Sequence, residues 1–321
     1  MQMNTKTSLK QQAKVKEEGR LLKTAAVLRR DYILYIMLIP FVLWYILFIY
    51  KPMGGLVIAF KNYNLFQGIT KSPWVGLDNF KAFLTGPYCL RLIRNTVLIG
   101  IYGMIFNFPA SILLALMLNE VRNRTYKKTL QTLMYAPYFI SAVVACGMIV
   151  NMLSPTTGVV NALIAKFGGE RVYFLSKPEY FRTIYVLMRI WKNCGYDAII
   201  YVAALSAIDS QLYEACMIDG GGKLRQLWHI TIPGIMPTVM VMLILSVGSM
   251  FNVSYESIIL LYQPSTYETA DVISTYVYRA GLTEGNYGVA TAVGLFDSVV
   301  GLVLVLASNT FSKRVSEYSA F

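Results

Sequence analysis

Arg189, Trp191, Lys192, Asn193, Tyr196 and Asp197 crowd into one short stretch of an otherwise apolar run. Charges there are costly in hydrocarbon, so they face a bundle interior or a water-filled path and meet polar partners or a solute. Arg189 and Asn193 stand i, i+4 and share a helix face, whereas Lys192 and Asp197 are too far out of step to pair within one helix. A second apolar run carries Asn252, Tyr255 and Glu256, and a third carries Asp297 near its middle, where packing against another helix or subunit is the simpler role. These groups bind; they do not make or break bonds. His229 is the only histidine, and Cys89, Cys146, Cys194 and Cys216 form no CxxC pair, so neither a metal set nor a disulfide framework is expected. No G-x-x-x-x-G-K-[ST] is present, and Gly220-Gly221-Gly222-Lys223 lacks the preceding strand of a phosphate cradle. Catalytic residues are therefore not expected.

What must position these residues is a membrane bundle. Hydrophobic residues make up 56% of the 321 and charged residues only 14%, against about a quarter charged in a soluble domain. Six segments approach or exceed the ~20 apolar residues that cross a bilayer core: Tyr32 to Tyr50, Asn95 to Leu118, Thr129 to Leu153, Thr183 to Ile208, Ile230 to Tyr255 and Tyr287 to Phe311. Lipid cannot satisfy backbone polar groups, so such runs mean helices and an all-α integral membrane fold. Aromatics such as Tyr32, Trp44 and Tyr50 suit the membrane interface.

Orientation follows from basic residues near the span ends. The leading tail, 1–31, holds Lys6, Lys10, Lys14, Lys16, Arg20, Lys23, Arg29 and Arg30, and the short hinge after the second span holds Arg122, Arg124, Lys127 and Lys128. Both are expected in the cytoplasm, together with the C-terminal tail, 312–321. The tail is too long and charged before its first apolar run to be a secretory leader, so the first span stays as an anchor. The net charge of +12 is spread over membrane-flanking positions, which fits anionic lipid headgroups rather than nucleic acid. Leu21 to Leu28 suits an amphipathic lead-in lying at the interface. Lys51 to Arg94 is expected to form a loop-rich cap outside, and Thr156 to Phe167 a short helix stopped by Gly168-Gly169. No internal repeat is visible, so 32–311 reads as one domain.

One cytoplasmic interval, 209–233, is too long for a plain connector. Asp209 or Ser210 can cap a helix over Gln211 through Ile218, Gly220-Gly221-Gly222 breaks it, and a second helix over about Lys223 to Ile230 leads to Pro233. The product is a helix, a sharp turn and a helix, a knob that another protein can grip.

Glu214-Ala215-Cys216, Gly220, Ile230 and Ile232-Pro233 keep every spacing of the EAA motif found in permease subunits of ATP-binding-cassette importers, with Cys and Ile in place of Ala and Leu at two positions. Trp74-Val-Gly-Leu-Asp-Asn-Phe80, Asn95-Thr96 and Ala203-Ala204-Leu205 resemble carbohydrate-importer permeases of the maltose and glycerol-phosphate types. Lys51 to Asn64 resembles the polysaccharide and oligosaccharide branch known as LplB-like. The resemblance covers the chain beyond about residue 30.

The resemblance implies a MalF/MetI-like bundle of six transmembrane helices in a bacterial plasma membrane. It also implies an oligosaccharide passed inward from an extracytoplasmic solute-binding protein by alternating access, with a second permease of different sequence. ATP and Mg belong on two separate ATPase subunits. Tyr213, Glu214, Ala215, Asp219, Gly220 and Gly221 become the ATPase-coupling residues, with the loop as coupling helix. A sugar offers hydroxyls and an apolar ring face, which suits Trp191, Asn193, Tyr196 and Asn252 as its path. An ion-coupled secondary transporter would also carry intramembrane carboxylates, but usually shows a repeat and broken helices; an ABC permease for a non-sugar solute is the other alternative.

Overall fold

A computed structural model describes residues 30–248, 250 and 253–315. The basic tail, the Leu21 to Leu28 segment, Asn252 and residues 316–321 lie outside the described residues, as do the side chains of 311–315. Regular structure among the described residues is helical apart from one isolated bridge between Lys61 and Trp74.

The chain divides into two units, one ending at Val57 and one beginning at Ile58. In the first, α1 (Tyr32–Tyr45) runs through a wide π-type turn at Ile46–Tyr50 into Lys51–Met53. The second unit opens with a short-helix and loop layer that takes up only part of the expected Lys51 to Arg94 cap, since Lys51–Met53 belongs to the first unit and a long helix begins at Cys89. Asn79 ties it together, its amide donating to the carbonyls of Ala59 at 2.9 Å and Lys61 at 3.0 Å. Phe60 stacks on Trp74, with ring centroids 5.7 Å apart, and α2 (Asp78–Leu84) completes this layer.

Two long helices form the bundle's spine: α3 (Cys89–Glu120) and, later in the chain, α7 (Pro178–Ser206). Their facing surfaces are rich in small residues, with Gly103, Ser111, Ala115 and Ala198 all buried. That lets backbones approach, the usual way helices associate where lipid supplies no hydrophobic drive. A side chain at Gly195 would collide with the Met134 carbonyl at the end of α4 (Arg124–Tyr135).

The expected third span is not one straight helix. α4 carries Arg124, Lys127 and Lys128 on a helix rather than in a hinge, and α5 (Ala142–Leu153) leaves it at 97°. Pro137 lies in the intervening turn, and Ser141 restarts the helix by accepting from the Val144 N–H at 3.3 Å. α6 (Val159–Lys166) comes next and ends before Gly168, as its glycine pair predicts.

Beyond α7 the chain forms α8 (Ser210–Ile218) and α9 (Lys223–Gly248). The sequence suggests a separate second helix before Pro233, but α9 is continuous over 26 residues. It accommodates the proline with a wide turn at Leu227–Thr231, where the missing N–H leaves a regular turn unsatisfied. α10 (Tyr255–Leu261), α11 (Tyr267–Ala270) and α12 (Ile273–Tyr278) then form a folded insertion before α13 (Tyr287–Val315).

Asp271, fully buried, clamps that insertion to the spine. Its carboxylate accepts from Arg91 at 3.3 Å, from both terminal nitrogens of Arg279 at 3.2 and 2.9 Å, and from Thr275 at 2.8 Å. Burial works against the Arg279 charge, but the Asp271 hydrogen bonds and charge outweigh it and hold the guanidinium above its ordinary pKa.

Four helices among the described residues are long and apolar enough to cross a membrane, or five if the bent α4–α5 pair is one span. The remaining expected span falls on α7. At 29 residues it is long enough, but Arg189, Lys192 and Asp197 make its middle more polar than the other four.

Candidate functional site

Two features carry the residues singled out above. The first is the elbow between α8 and α9. Asp209 caps α8, its Oδ1 accepting from the Gln211 N–H at 2.9 Å. The helix ends in a Schellman arrangement: Gly221 N–H donates to the Cys216 carbonyl at 2.8 Å and Gly220 N–H to the Met217 carbonyl at 3.1 Å. Gly220 sits at φ 73°, where any other residue would be strained. A Cβ on Gly221 would lie 2.8 Å from the Cys216 carbonyl oxygen, so this position must stay bare.

Two contacts fasten the elbow to its surroundings. The Tyr213 hydroxyl shares a 3.1 Å hydrogen bond with the Thr231 hydroxyl on α9. Lys223 forms an ion pair with Glu120 at the end of α3. Glu214, Ala215 and Asp219 are exposed. So are Met217, Ile218, Leu224 and Trp228, with Ile218 at 86%. His229 is exposed too, and its Nδ1 lies 3.1 Å from the Arg225 carbonyl of its own helix.

The second feature is a polar cavity of about 190 Å³ enclosed by α3, α7 and α9. Asn107 and Ser111 line it from α3, Arg189, Asp197 and Tyr201 from α7, and Ser246 from α9. The Asn107 amide donates to Asp197 Oδ2 at 2.9 Å, while its own Oδ1 is buried without a hydrogen-bond partner among the described residues. Arg189 fits because Gly103 has no side chain: a Cβ there would stand 2.7 Å from its Nη1. The volume is well above the ~10–15 Å³ that one water needs, and the wall offers donors and acceptors, so the space is a wet one.

Among the described residues of the predicted path, only Arg189 and Asp197 line this cavity. Trp191 is exposed, and Tyr196 stacks on Tyr138 at 3.8 Å across the α4–α5 bend. Lys192 and Glu256 both lie within electrostatic reach of Cys146, away from the cavity. Asn193 is half-buried, and Tyr255 stacks on Tyr278 at 5.7 Å. Asp297 is half-buried, and its Oδ1 lacks a hydrogen-bond partner among the described residues. Asn107 and Ser111 were overlooked; two polar residues at i, i+4 inside an apolar run are the signal that marks them.

A family model described as the binding-protein-dependent transport system inner membrane component matches residues 107–317, which hold the elbow and most of the cavity wall. The chain belongs to this permease family. It is 42% identical to protein LplB of Bacillus subtilis (strain 168), over 97% of this chain and 98% of the relative. The polygalacturonan/rhamnogalacturonan transport system permease protein YteP of the same organism is 43% identical over 94% of each chain. Among solved structures, a chain of a bacterial ABC transporter involved in the import of the acidic polysaccharide alginate superposes with a TM-score of 0.84. The two are 46% identical, and the match covers 92% of this permease and 99% of that chain.

Proposed function

We propose that this permease carries an oligosaccharide from an extracytoplasmic binding protein to the cytoplasm by alternating access, driven by ATP hydrolysed on partner subunits. The elbow is the observation that carries the reading. A helix, a glycine-locked turn and a long helix present Met217, Ile218, Leu224 and Trp228 to solvent beside Glu214 and Asp219. An apolar centre with a charged rim is what a protein partner covers. The partner is an ATPase subunit, two per assembly, holding ATP and Mg. The elbow and both chain ends then face the cytoplasm.

Tyr213 has a different part: its bond to Thr231 sets the angle of α8 on α9. Gly220 and Gly221 lock the turn. A second permease of different sequence completes the pathway. A saccharide cargo is supported by the relatives, since YteP is a polygalacturonan/rhamnogalacturonan permease and the alginate importer has been seen with a pentasaccharide-bound periplasmic protein.

In proteoliposomes holding the assembled importer and its binding protein, oligosaccharide uptake should require ATP and persist when ion gradients are collapsed. Glu214→Arg and Gly220→Val should each reduce ATPase co-purification and abolish uptake while the helices stay folded. Unchanged co-purification and transport in both variants would refute the docking role. Uptake that depends on an ion gradient instead of ATP would refute the whole reading.

A further inference from the structure

The short helix α6 is amphipathic the wrong way round. Its polar residue Asn161 is almost wholly buried, with its amide donating to the carbonyls of Leu153 at 3.0 Å, Ser154 at 3.2 Å and Val172 at 3.0 Å. The Asn161 Oδ1 in turn accepts from the Val172 N–H at 2.8 Å. On the far side of the helix, Val159, Leu163 and the C-cap residue Phe167 repeat at i, i+4 and i+8 and are 60%, 51% and 85% exposed. Ala162 and Lys166 are exposed on the same arc. Because its hydrogen bonds hold Asn161 inward, the helix cannot roll to hide that arc.

The position of α6 narrows what can cover it. Leu153 is the last residue of α5, so the Asn161 bond pins the helix to the very end of the apolar α4–α5 pair. Arg171 folds the chain back toward α7 by donating to the Pro155 and Thr156 carbonyls, both at 3.2 Å. The helix therefore lies at a membrane boundary, at the end of α7 opposite the elbow. Lipid and another protein are the two surfaces that an apolar arc meets there, and Lys166 separates them. It stands inside the arc rather than on its rim and has no ion-pair partner among the described residues. Lysine is depleted from the centre of protein interfaces, where its charge would be stripped of water. At a bilayer surface the same side chain lays its methylenes along the apolar face and lifts its ammonium to the phosphates. Between residues 154 and 177, Lys166, Arg171 and Lys177 outnumber Glu170, which suits the same phosphates.

We propose that α6 is a lipid anchor: Val159, Ala162, Leu163 and Phe167 enter the acyl region just below the headgroups, and Lys166 pairs with lipid phosphate. In the orientation proposed above, the leaflet is the extracytoplasmic one. An interfacial helix of this kind lies flat, with its apolar face about 5–10 Å into the boundary between headgroups and acyl chains. The anchor holds the end of α5 at a fixed depth while the elbow moves on the opposite side. The inference rests on the membrane embedding of the chain and is independent of the cargo.

The test places a fluorescent amino acid at Leu163 or at Phe167 in the complete importer, reconstituted in phospholipid nanodiscs. Lipids brominated near the headgroup should dim both labels more than lipids brominated near the chain ends, and aqueous iodide should dim them least. Phe167→Trp is a milder change that gives the same comparison, read as quenching added to that of the four native tryptophans. Lys166→Glu should lessen the lipid quenching at 167, and Lys166→Arg should preserve it. Labels reached by iodide but not by brominated lipid put the arc in water, and labels reached by neither put it under another protein; either result overturns the proposal. Strongest quenching by chain-end bromines overturns it as well, because the helix would then lie in the bilayer interior, and quenching indifferent to Lys166→Glu overturns the phosphate contact.

Discussion

Asp271→Asn tests the clamp that joins the α10–α12 insertion to α3. The carboxylate is wholly buried and serves two guanidiniums, Arg91 with 31% and Arg279 with 22% of its side chain exposed, plus the Thr275 hydroxyl. The amide keeps the shape but deletes the charge, leaving Arg279 mostly out of water with its hydrogen bonds weakened and, as remaining support, its stacking on Tyr267 and Tyr276 and a 4.0 Å ion pair with the more exposed Glu284. Removing one partner of a buried ion pair costs about 3–5 kcal/mol, far more than the net worth of the pair, because the other charge stays behind. At ~2 °C per kcal/mol for a chain of this size, the midpoint in a fixed-rate thermal scan of the detergent-purified protein should fall by roughly 6–10 °C. Arg91→Gln, which removes one longer and more exposed contact, should cost only about 1 kcal/mol. Combining it with Asp271→Asn should add little, since both act on one network. A midpoint for Asp271→Asn within about 1 °C of the parent would refute the clamp.

Gly195→Ala forces a methyl onto the Met134 carbonyl, where backbone must move, so it should destabilise by about 1–3 kcal/mol and slow crosslinking between cysteines placed on α4 and α7; parent-like behaviour in both readouts would mean the two helices are not in backbone contact. Gly220→Ala has space for its methyl but the wrong dihedral, and should cost about 1 kcal/mol while leaving the ATPase docked; loss of docking with no loss of stability would contradict a conformational role. Lys223→Ala and Glu120→Ala act on a largely exposed ion pair and should each change the melting midpoint by no more than ~2 °C. Ile218→Asp should leave folding intact, because the side chain is almost fully exposed, but should prevent co-purification of the ATPase; normal recovery of that subunit would remove Ile218 from the docking surface.

The elbow was legible residue by residue, because each part is local. Asp209 caps, Gly220 takes the positive φ, and the apolar periodicity between them fits the nine residues of α8. The spans were legible by length, but their continuity was not. Pro137 and Pro233 are the same residue type in similar apolar settings, yet one accompanies a 97° bend and the other sits inside an unbroken helix. Their neighbours make the difference: Ser141 offers a new cap after Pro137, while the residues around Pro233 have only a widened turn to absorb the lost bond. The path was legible in kind but not in facing. Trp191 lies about 200° around α7 from Arg189, so proximity in sequence put the two on opposite sides. Asn107 was missed because a single amide in a long apolar run looks minor until Asp197 is placed opposite it.

The continuity of α9 makes the elbow and the cavity wall two arms of one beam. Ile235 is buried among Ala115, Ala198, Tyr201 and Leu205, which makes it the natural fulcrum. Measured along the axis, Lys223 lies about 18 Å to one side of it and Ser246 about 16 Å to the other. A seesaw with arms so nearly equal has a gearing near unity: a shift of ~3 Å imposed on the foot, for illustration, would return ~3 Å at the cavity, in the opposite sense. Squeezing the feet of two such beams together would therefore spread their far ends.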